Sequence, residues 1–327
     1  MENKGDSSKF NECQVRLHND LEHEIHGAGE RKLVFIPGLM CDRAIWRYQI
    51  EHVLESEPNC EILTINNYGM SREMSANGSR SYLDRFNMSM YADDVKCLID
   101  HYGWQRVTVI GISMGGMIAL RFAVKYPLNT ASLVLVNTHS GGFSGIPKLS
   151  GILGIAKHVI CPGDATYFES IYGHTEKTVN ERVVKNITSE YDVSHVSGHN
   201  INKLVTACTQ IVAIFTHYIT QAEFKVINEA KIPSLIVTGM NDNIIDPKAS
   251  LDIYQNLENS ELFIVKDSGH GLILEDHGED KSVGHTFNIK LTEFIKHVYN
   301  NTCTIESIKP SKPVAKKKFF IGDTATE

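Results

Sequence analysis

The segment between residues 106 and 126 constrains the fold of this chain more than any other. It begins with a β-branched run over residues 106–110 and continues through a glycine-rich turn over residues 111–116. A helical pattern over residues 117–126 then stops before Pro127. Short β-branched runs are typical of buried strands, and the residue before a proline disfavours helical backbone. The segment therefore predicts a strand, a tight turn and a helix in immediate succession.

The same alternation of short apolar runs and helical patterns recurs along the chain. Strands are predicted over residues 32–36, 61–65, 132–137, 233–238 and 262–265, and helices over residues 45–54, 90–102, 247–257 and 287–299. Strands separated by helices imply crossover connections and a mostly parallel sheet with helices on both faces. The sequence therefore predicts an α/β fold with one main core.

The alternation breaks between residues 138 and 224, where helical stretches are joined by turns rich in Gly, Pro and His. Apolar residues recur at three- and four-residue spacing from Ile201 to Ile219, which is typical of one apolar helix face. We interpret residues 138–224 as a helical cap insertion, whose apolar face lines an acyl pocket or packs on the main domain. The predicted core comprises residues 15–137 and 225–300, between a disordered N-terminus over residues 1–14 and a flexible tail over residues 303–327.

Composition and charge exclude several classes of function. A formal net charge of −7, from 32 basic and 39 acidic residues, provides no basic field for a nucleic acid. We expect neither a secretory signal in the first ten residues nor any apolar run of bilayer-spanning length. Seven scattered cysteines, an odd number, fit reduced thiols. The sequence thus predicts a cytoplasmic protein that acts on small molecules.

The glycine-rich turn contains the sequence Gly-Ile-Ser-Met-Gly, with Ser113 at its centre. A serine hydroxyl becomes a strong nucleophile only beside a base, an orienting acid and donors for the developing oxyanion. Small residues on both sides of Ser113 permit a sharp turn that lifts the side chain above the sheet. The amide of Met114, at a helix N-terminus, would then face developing negative charge. The alternative is a glycine-rich helix entry capped by serine, but the flanking strand and helix favour a nucleophile.

Candidates for the acid and the base also follow predicted strand ends. Asp242 comes just after the strand over residues 233–238, and His270, between two glycines, follows the strand ending at Val265. An acid in this role holds the histidine in the correct tautomer. Asp246 is a nearby competitor, but it precedes Pro247 and is interpreted as a helix N-cap. We therefore predict the catalytic residues Ser113, Asp242 and His270.

Their order along the chain, together with the strand–turn–helix around Ser113, resembles the α/β-hydrolase fold superfamily with a cap insertion. Residues 35–40 resemble that family's oxyanion loop, with Pro37 and Gly38 where His and Gly are more usual. The resemblance implies that the backbone amide of Leu39 is the second oxyanion donor beside Met114. It also implies a cap inserted after the sixth strand. It covers residues 15–300 and specifies fold and chemistry better than substrate.

The resemblance implies a serine esterase or lipase-like enzyme that hydrolyses hydrophobic or lipid esters through an acyl-enzyme, without cofactor or metal. Thioesterase, carbon–carbon bond hydrolase and perhydrolase chemistry on the same triad remain alternatives, as does a non-enzymatic receptor or scaffold. His195 and His199 could share a metal on a helix, but Gly198 between them favours a polar loop. Lysines and phenylalanines over residues 316–320 offer membrane-surface contact as a minor alternative to a solvated tail.

Overall fold

The computed structural model describes residues 16–18, 21–70, 87–142, 145, 200–266, 268–274, 283–305 and 318–322. The strands in this part of the chain form one sheet of nine strands in the order β1-β2-β4-β3-β5-β6-β7-β8-β9. Their bounds are β1 (Arg16–His18), β2 (Leu21–Gly27), β3 (Arg31–Ile36), β4 (Cys60–Ile65), β5 (Val107–Ile112), β6 (Thr130–Val136), β7 (Ser234–Gly239), β8 (Ser260–Val265) and β9 (Lys318–Gly322).

The sheet is antiparallel at one edge and parallel over the rest of its width. β1 pairs with β2, and β2 with β4, in antiparallel fashion, whereas every pairing from β4 to β9 is parallel. The central strands β5, β6 and β7 are buried along their whole length. Such burial is typical of a parallel sheet covered on both faces.

The helices divide between the two faces. The described α-helices are α1 (Arg47–Ser56), α2 (Met88–His101), α3 (Met114–Lys125), α4 (Asn200–Phe215), α5 (Gln221–Glu229), α6 (Pro247–Asn256) and α7 (Val283–Ile305). Residues of α2, α3, α5 and α6 share one apolar cluster with one face of the sheet, and residues of α1 and α7 share another with the opposite face. The predicted α/β architecture is confirmed: a mostly parallel sheet lies between two layers of helices.

The N-terminal edge of the sheet was not predicted. β2 has the sequence Leu-Glu-His-Glu-Ile-His-Gly, which carries too many polar residues to resemble a buried strand. Its carboxylates at Glu22 and Glu24 form ion pairs with the buried guanidinium of Arg43, which lies before α1. Pairing with a single distant arginine allows two acidic side chains to lie in a strand that is flanked by β1 and β4.

The C-terminal segment also departs from the prediction. Residues 318–322, which the sequence assigns to a flexible tail, form β9 and pair in parallel with β8, with Leu262 opposite Phe319 and Phe263 opposite Phe320. The two phenylalanines considered for membrane contact thus belong to an edge strand. Among the described helices, none combines the length and hydropathy needed to cross a bilayer.

Two described helices fall within or across the predicted cap. α4 lies inside residues 138–224, and α5 crosses the predicted boundary at residue 224. Phe224 and Ile227 of α5 are buried in the main apolar cluster. The chain leaves the sheet after β6 and returns to it at β7, and the two ends of the insertion are joined by a hydrogen bond from the amide of Ile219 to the carbonyl of Ser140, at 2.8 Å.

Candidate active site

Ser113 lies at the carboxyl end of β5, where the chain turns directly into α3. Its backbone is held at φ 55° and ψ −121°, a region that residues with a side chain rarely adopt. The turn is possible because its neighbours lack side chains: a Cβ on Gly111 would overlap the carbonyl of Gly115, and one on Gly115 would overlap the carbonyl of Ile36. The strand, sharp turn and helix predicted around Ser113 are therefore present, and its side chain is partly exposed.

Both predicted oxyanion donors lie close to Ser113. Met114 is the first residue of α3, whose opening amides have no partner within the helix. On the other side, a Cβ built on Gly38 would lie 3.4 Å from the Cβ of Ser113, which brings the loop containing Leu39 against the serine. No hydrogen bond among the described residues uses the amide of Leu39 or that of Met114. Both N–H groups are thus available to a ligand.

The loop after β3 is held from two directions. The side-chain amide of Asn67 donates to the carbonyl oxygen of Pro37 at 3.0 Å. The amide of Met40 donates to Oε1 of Gln210, on α4, at 2.9 Å. These bonds fix the backbone on both sides of Leu39.

Asp242 and His270 are brought together as predicted. Nδ1 of His270 lies 2.7 Å from Oδ2 of the fully buried Asp242. The other carboxylate oxygen, Oδ1, accepts hydrogen bonds from the amides of Ile244 and Ile245 at 2.8 and 2.9 Å. The carboxylate is therefore fixed in orientation, the histidine donates through Nδ1, and Nε2 remains as the basic nitrogen.

Asn137 joins the acid loop to the base loop. Its Nδ2 donates to the carbonyls of Gly269 and His270 at 3.0 and 2.7 Å, and its Oδ1 accepts from the amide of Gly239 at 2.9 Å. Asn137 has a left-handed backbone at φ 44°, a conformation that asparagine tolerates better than most residues. The residue after β6 thus connects the ends of three parallel strands.

Ser113 and His270 are linked through the same segment. The hydroxyl of Thr138 donates to the carbonyl of Ser113 at 2.7 Å, next to the asparagine that holds His270. No direct hydrogen bond joins the Ser113 hydroxyl to the His270 ring among the described residues. Such bonds are commonly long in unliganded enzymes and shorten when substrate binds.

Asp246 and Cys41 are two further reactive groups in these loops, and the surroundings of each favour a role outside the triad. Asp246 caps α6, since its carboxylate accepts from the amide of Lys248 at 3.0 Å and Pro247 follows. Its interpretation as a cap and not as the triad acid is consistent with this bond. Cys41 follows the oxyanion loop, and desolvation by burial raises the pKa of its thiol to about 12, so it remains a neutral thiol and not a competing nucleophile.

Over residues 205–215, where the structure describes the side chains of α4, the side that packs on the loop after β3 is not the apolar side predicted from the sequence. The buried side chains in this part of α4 are Thr206, Ala207, Thr209, Gln210 and Ala213. Cys208, Val212 and Phe215, all members of the predicted apolar face, are exposed. Small and polar residues are required because the helix approaches loop backbone: a Cβ on Gly69 would lie 2.5 Å from Oγ1 of Thr206.

Asn67, Asn137 and Gln210 are site residues that the sequence analysis did not identify. Asn137 ends a predicted strand, and an asparagine at that point signals a left-handed turn. No local signal identifies Gln210, because its partner is 170 residues away. The histidines at 195 and 199 lie outside the described residues.

Comparisons with known proteins agree with the fold. A sequence model described as the alpha/beta hydrolase fold matches residues 32–277. A 2-hydroxy-6-oxononadienedioate/2-hydroxy-6-oxononatrienedioate hydrolase from Paraburkholderia phymatum is 24% identical over 299 residues, covering 86% of this chain and 91% of the relative.

Two solved structures are similar to the chain in fold. A thermophilic esterase from Thermogutta terrifontis has a TM-score of 0.63 at 18% identity, covering 85% of this chain and 94% of its own. A putative lipase from Acinetobacter baumannii has a TM-score of 0.67 at 19% identity, covering 88% and 92%.

Proposed function

Because the chain belongs to the alpha/beta hydrolase fold family, we propose that it is a serine hydrolase that cleaves carboxylic esters through Ser113, His270 and Asp242. The observation that carries the proposal is the 2.7 Å contact between Nδ1 of His270 and the buried carboxylate of Asp242. This contact leaves Nε2 of the histidine as a base on the side away from the acid. Such a contact is expected when the second nitrogen of the histidine acts as a base for a neighbouring group.

In the proposed mechanism, the hydroxyl oxygen of Ser113 attacks the ester carbonyl while its proton passes to Nε2 of His270. Asp242 keeps the imidazole in the required tautomer and stabilises the imidazolium. The amides of Leu39 and Met114 donate to the oxyanion. Such donors stabilise charge that develops only in the transition state, and each is worth roughly 10²-fold or more in rate.

Collapse of the tetrahedral intermediate breaks the bond to the alcohol, which leaves with the proton from His270. The acyl group stays on Ser113 as an ester. Water then attacks this acyl-enzyme, giving its proton to the same histidine, and the acid product leaves as the serine regains its proton. Every proton that moves is carried by one imidazole.

We propose a hydrophobic ester as substrate because two arginines of the described residues, Arg43 and Arg121, are already paired. Arg43 contacts Glu22 and Glu24, and Arg121 contacts Glu223 and the carbonyl of Tyr218. An arginine that is bound to carboxylates has few donors left for an anionic substrate. The solved esterase and lipase of similar fold support this choice only as analogy.

Carbon–carbon bond hydrolysis is the second candidate, because the relative from Paraburkholderia phymatum, which matches most of the chain, is named as a hydrolase of hydroxy-oxo dioates, and that name includes no ester. By its name, that relative acts on a dioate, a molecule with two carboxylates. Recognition of two carboxylates normally requires cationic donors. The paired state of Arg43 and Arg121 therefore favours the ester over a dioate.

A substrate panel tests the proposal. Purified protein is assayed with p-nitrophenyl esters of increasing acyl length, with matched acyl-CoA thioesters, and with a vinylogous 1,5-diketone dioate. We expect the highest kcat/KM on a medium or long acyl ester. Turnover of the dioate alone would transfer the proposal to carbon–carbon hydrolysis, and faster turnover of thioesters would identify a thioesterase.

A cytoplasmic location is part of the same proposal. It is supported by the described cysteines, Cys41, Cys60, Cys97 and Cys208, which form no disulfide within the described part of the chain. A non-enzymatic receptor with this fold remains the alternative if the whole panel is inert.

A further inference from the structure

The contact between the cap helix α4 and the oxyanion loop has a role that the triad does not explain. Gln210 is completely buried on α4, and its Oε1 accepts a hydrogen bond from the amide of Met40 at 2.9 Å. Met40 directly follows Leu39, the proposed oxyanion donor. We propose that Gln210 is a positioning residue that sets the oxyanion donor through this bond. The inference rests on the proposed function and deepens it.

The loop needs an external partner because its own backbone is strained. Met40 has φ 53°, in the left-handed region that favours glycine. The loop contributes two bonds of its own, from the amide of Cys41 to the carbonyl of Gly38 and from the thiol of Cys41 to the carbonyl of Leu39, both at 3.3 Å. A strained residue keeps its conformation only when its surroundings hold it. At Met40, the described group that holds the amide is the side chain of Gln210.

The helix that carries Gln210 is itself fixed against the neighbouring loop. Thr206, one turn earlier on α4, lies so close to Gly69 that a side chain there would meet its hydroxyl and methyl groups. Its hydroxyl donates to the carbonyl of Gly69 at 3.4 Å. Because Gln210 and Thr206 lie on the same face of α4, any displacement of this cap helix is transmitted to Met40.

Packing alone does not account for a glutamine at this position. Nε2 of Gln210 has no hydrogen-bond partner among the described residues, although the side chain is fully buried. Methionine has nearly the same length and would fill the space without the unsatisfied Nε2, but the amide of Met40 would then lose its acceptor. Retention of the amide at a cost in stability is consistent with a role for its acceptor oxygen.

The replacement Gln210→Met tests the proposal, because it keeps the volume and removes the acceptor. We expect kcat/KM on the best ester to fall about 10- to 100-fold, mostly through kcat, since the donor is displaced and not removed. The unfolding midpoint should stay near that of the wild type. Thr209→Val is the matched control: Thr209 is buried on the same helix, but among the described residues its hydroxyl bonds only to the carbonyl of Thr206, so activity should persist.

A transition-state analogue separates positioning from general damage. A trifluoromethyl ketone with the substrate's acyl chain forms a tetrahedral oxyanion on the serine, whereas the product alcohol does not. In Gln210→Met, the inhibition constant of the ketone should rise by the same factor as kcat/KM falls. Binding of the product alcohol should be unchanged.

Three outcomes would overturn the inference. Full activity of a folded Gln210→Met would refute it while leaving the proposed function intact. Equal weakening of ketone and alcohol would identify a merely structural residue. A wild type that neither hydrolyses esters nor binds the ketone would overturn the proposed function and the inference together. Gln210→Leu provides a second apolar replacement if Gln210→Met fails to fold.

Discussion

Asn137 donates from its side-chain amide to the carbonyl oxygen of His270 at 2.7 Å. The same side chain also bonds to the backbone of Gly269 and Gly239, so one residue fixes the loop of the base relative to the loop of the acid. The 2.7 Å contact between His270 and Asp242 depends on this arrangement, because both residues lie on loops that could otherwise move independently.

Replacement of Asn137 by alanine is therefore expected to impair turnover. All three side-chain bonds are lost, and alanine costs about 1 kcal/mol more in the left-handed backbone. We expect kcat on an ester to fall at least tenfold with little change in KM, measured by steady-state kinetics on folded protein. Asn129→Ala removes an exposed asparagine bond to the carbonyl of Gln105 and serves as the control. A fully active Asn137→Ala would contradict the positioning role.

Gly115→Ala should damage the turn that presents Ser113. A Cβ at this position overlaps the carbonyl oxygens of Ile36 and Pro37, both backbone atoms of the adjacent strand end. Relief requires the nucleophile turn to move away from the oxyanion loop. We expect loss of activity together with a lower midpoint in urea unfolding. Gly103→Asn is the comparison, since its site is open and asparagine tolerates its φ of 68°, so it should remain active.

The buried histidines His139 and His217 should make stability depend on pH. Desolvation by burial lowers the pKa of His139 from 6.5 to about 4, and burial lowers that of His217 well below 6.5, with His139 and Arg121 adding to the shift. Their rings lie 5.8 Å apart between the two ends of the insertion. Each histidine is therefore neutral in the folded protein at pH 7.

The direction of this pH dependence follows from which state, folded or unfolded, binds more protons. Between pH 6.5 and about 4 the unfolded chain protonates His139 and the folded chain does not. The contribution of the neutral His139 ring to the free energy of unfolding is therefore fully present above pH 6.5. It is lost as the pH falls, and the loss is about 3 kcal/mol for this one group. Unfolding free energies measured in urea from pH 7 to pH 4 should show the loss. His217→Phe should make the unfolding free energy less dependent on pH than it is in the wild type, whereas replacement of the exposed His101 by glutamine should not. Equal pH dependence in His217→Phe and the wild type would refute the role of the buried histidines.

Much of this architecture could be predicted from the sequence because its signals are local. The strands, the turn at Ser113, and the positions of Asp242 and His270 after strand ends all follow from runs of neighbouring residues. β2 could not be predicted, because Glu22 and Glu24 interrupt the apolar pattern of a strand. Their pairing with Arg43 becomes visible only in the folded protein. The apolar pattern of α4 likewise did not show which side of the helix is buried, because that depends on a loop distant in sequence.

Helical periodicity identifies a helix face but not the surface that it meets. α4 packs on the backbone of neighbouring loops, and this contact requires small or hydrogen-bonding side chains. Thr206 and Gln210 are therefore buried, whereas Val212 and Phe215 are exposed. Likewise, the roles of Asn137 and Gln210 depend on loops that are distant in sequence. These residues could be recognised only in the folded protein.

Active-site labelling tests most directly whether Ser113 is an activated nucleophile, as we propose. Purified protein is treated with a fluorophosphonate, and the modified peptide is identified by mass spectrometry. We expect a single adduct on Ser113 in the wild type, loss of that adduct in Ser113→Ala, and full labelling of Ser89→Ala, which changes a serine on α2. An unlabelled wild type, or labelling that persists in Ser113→Ala, would contradict it.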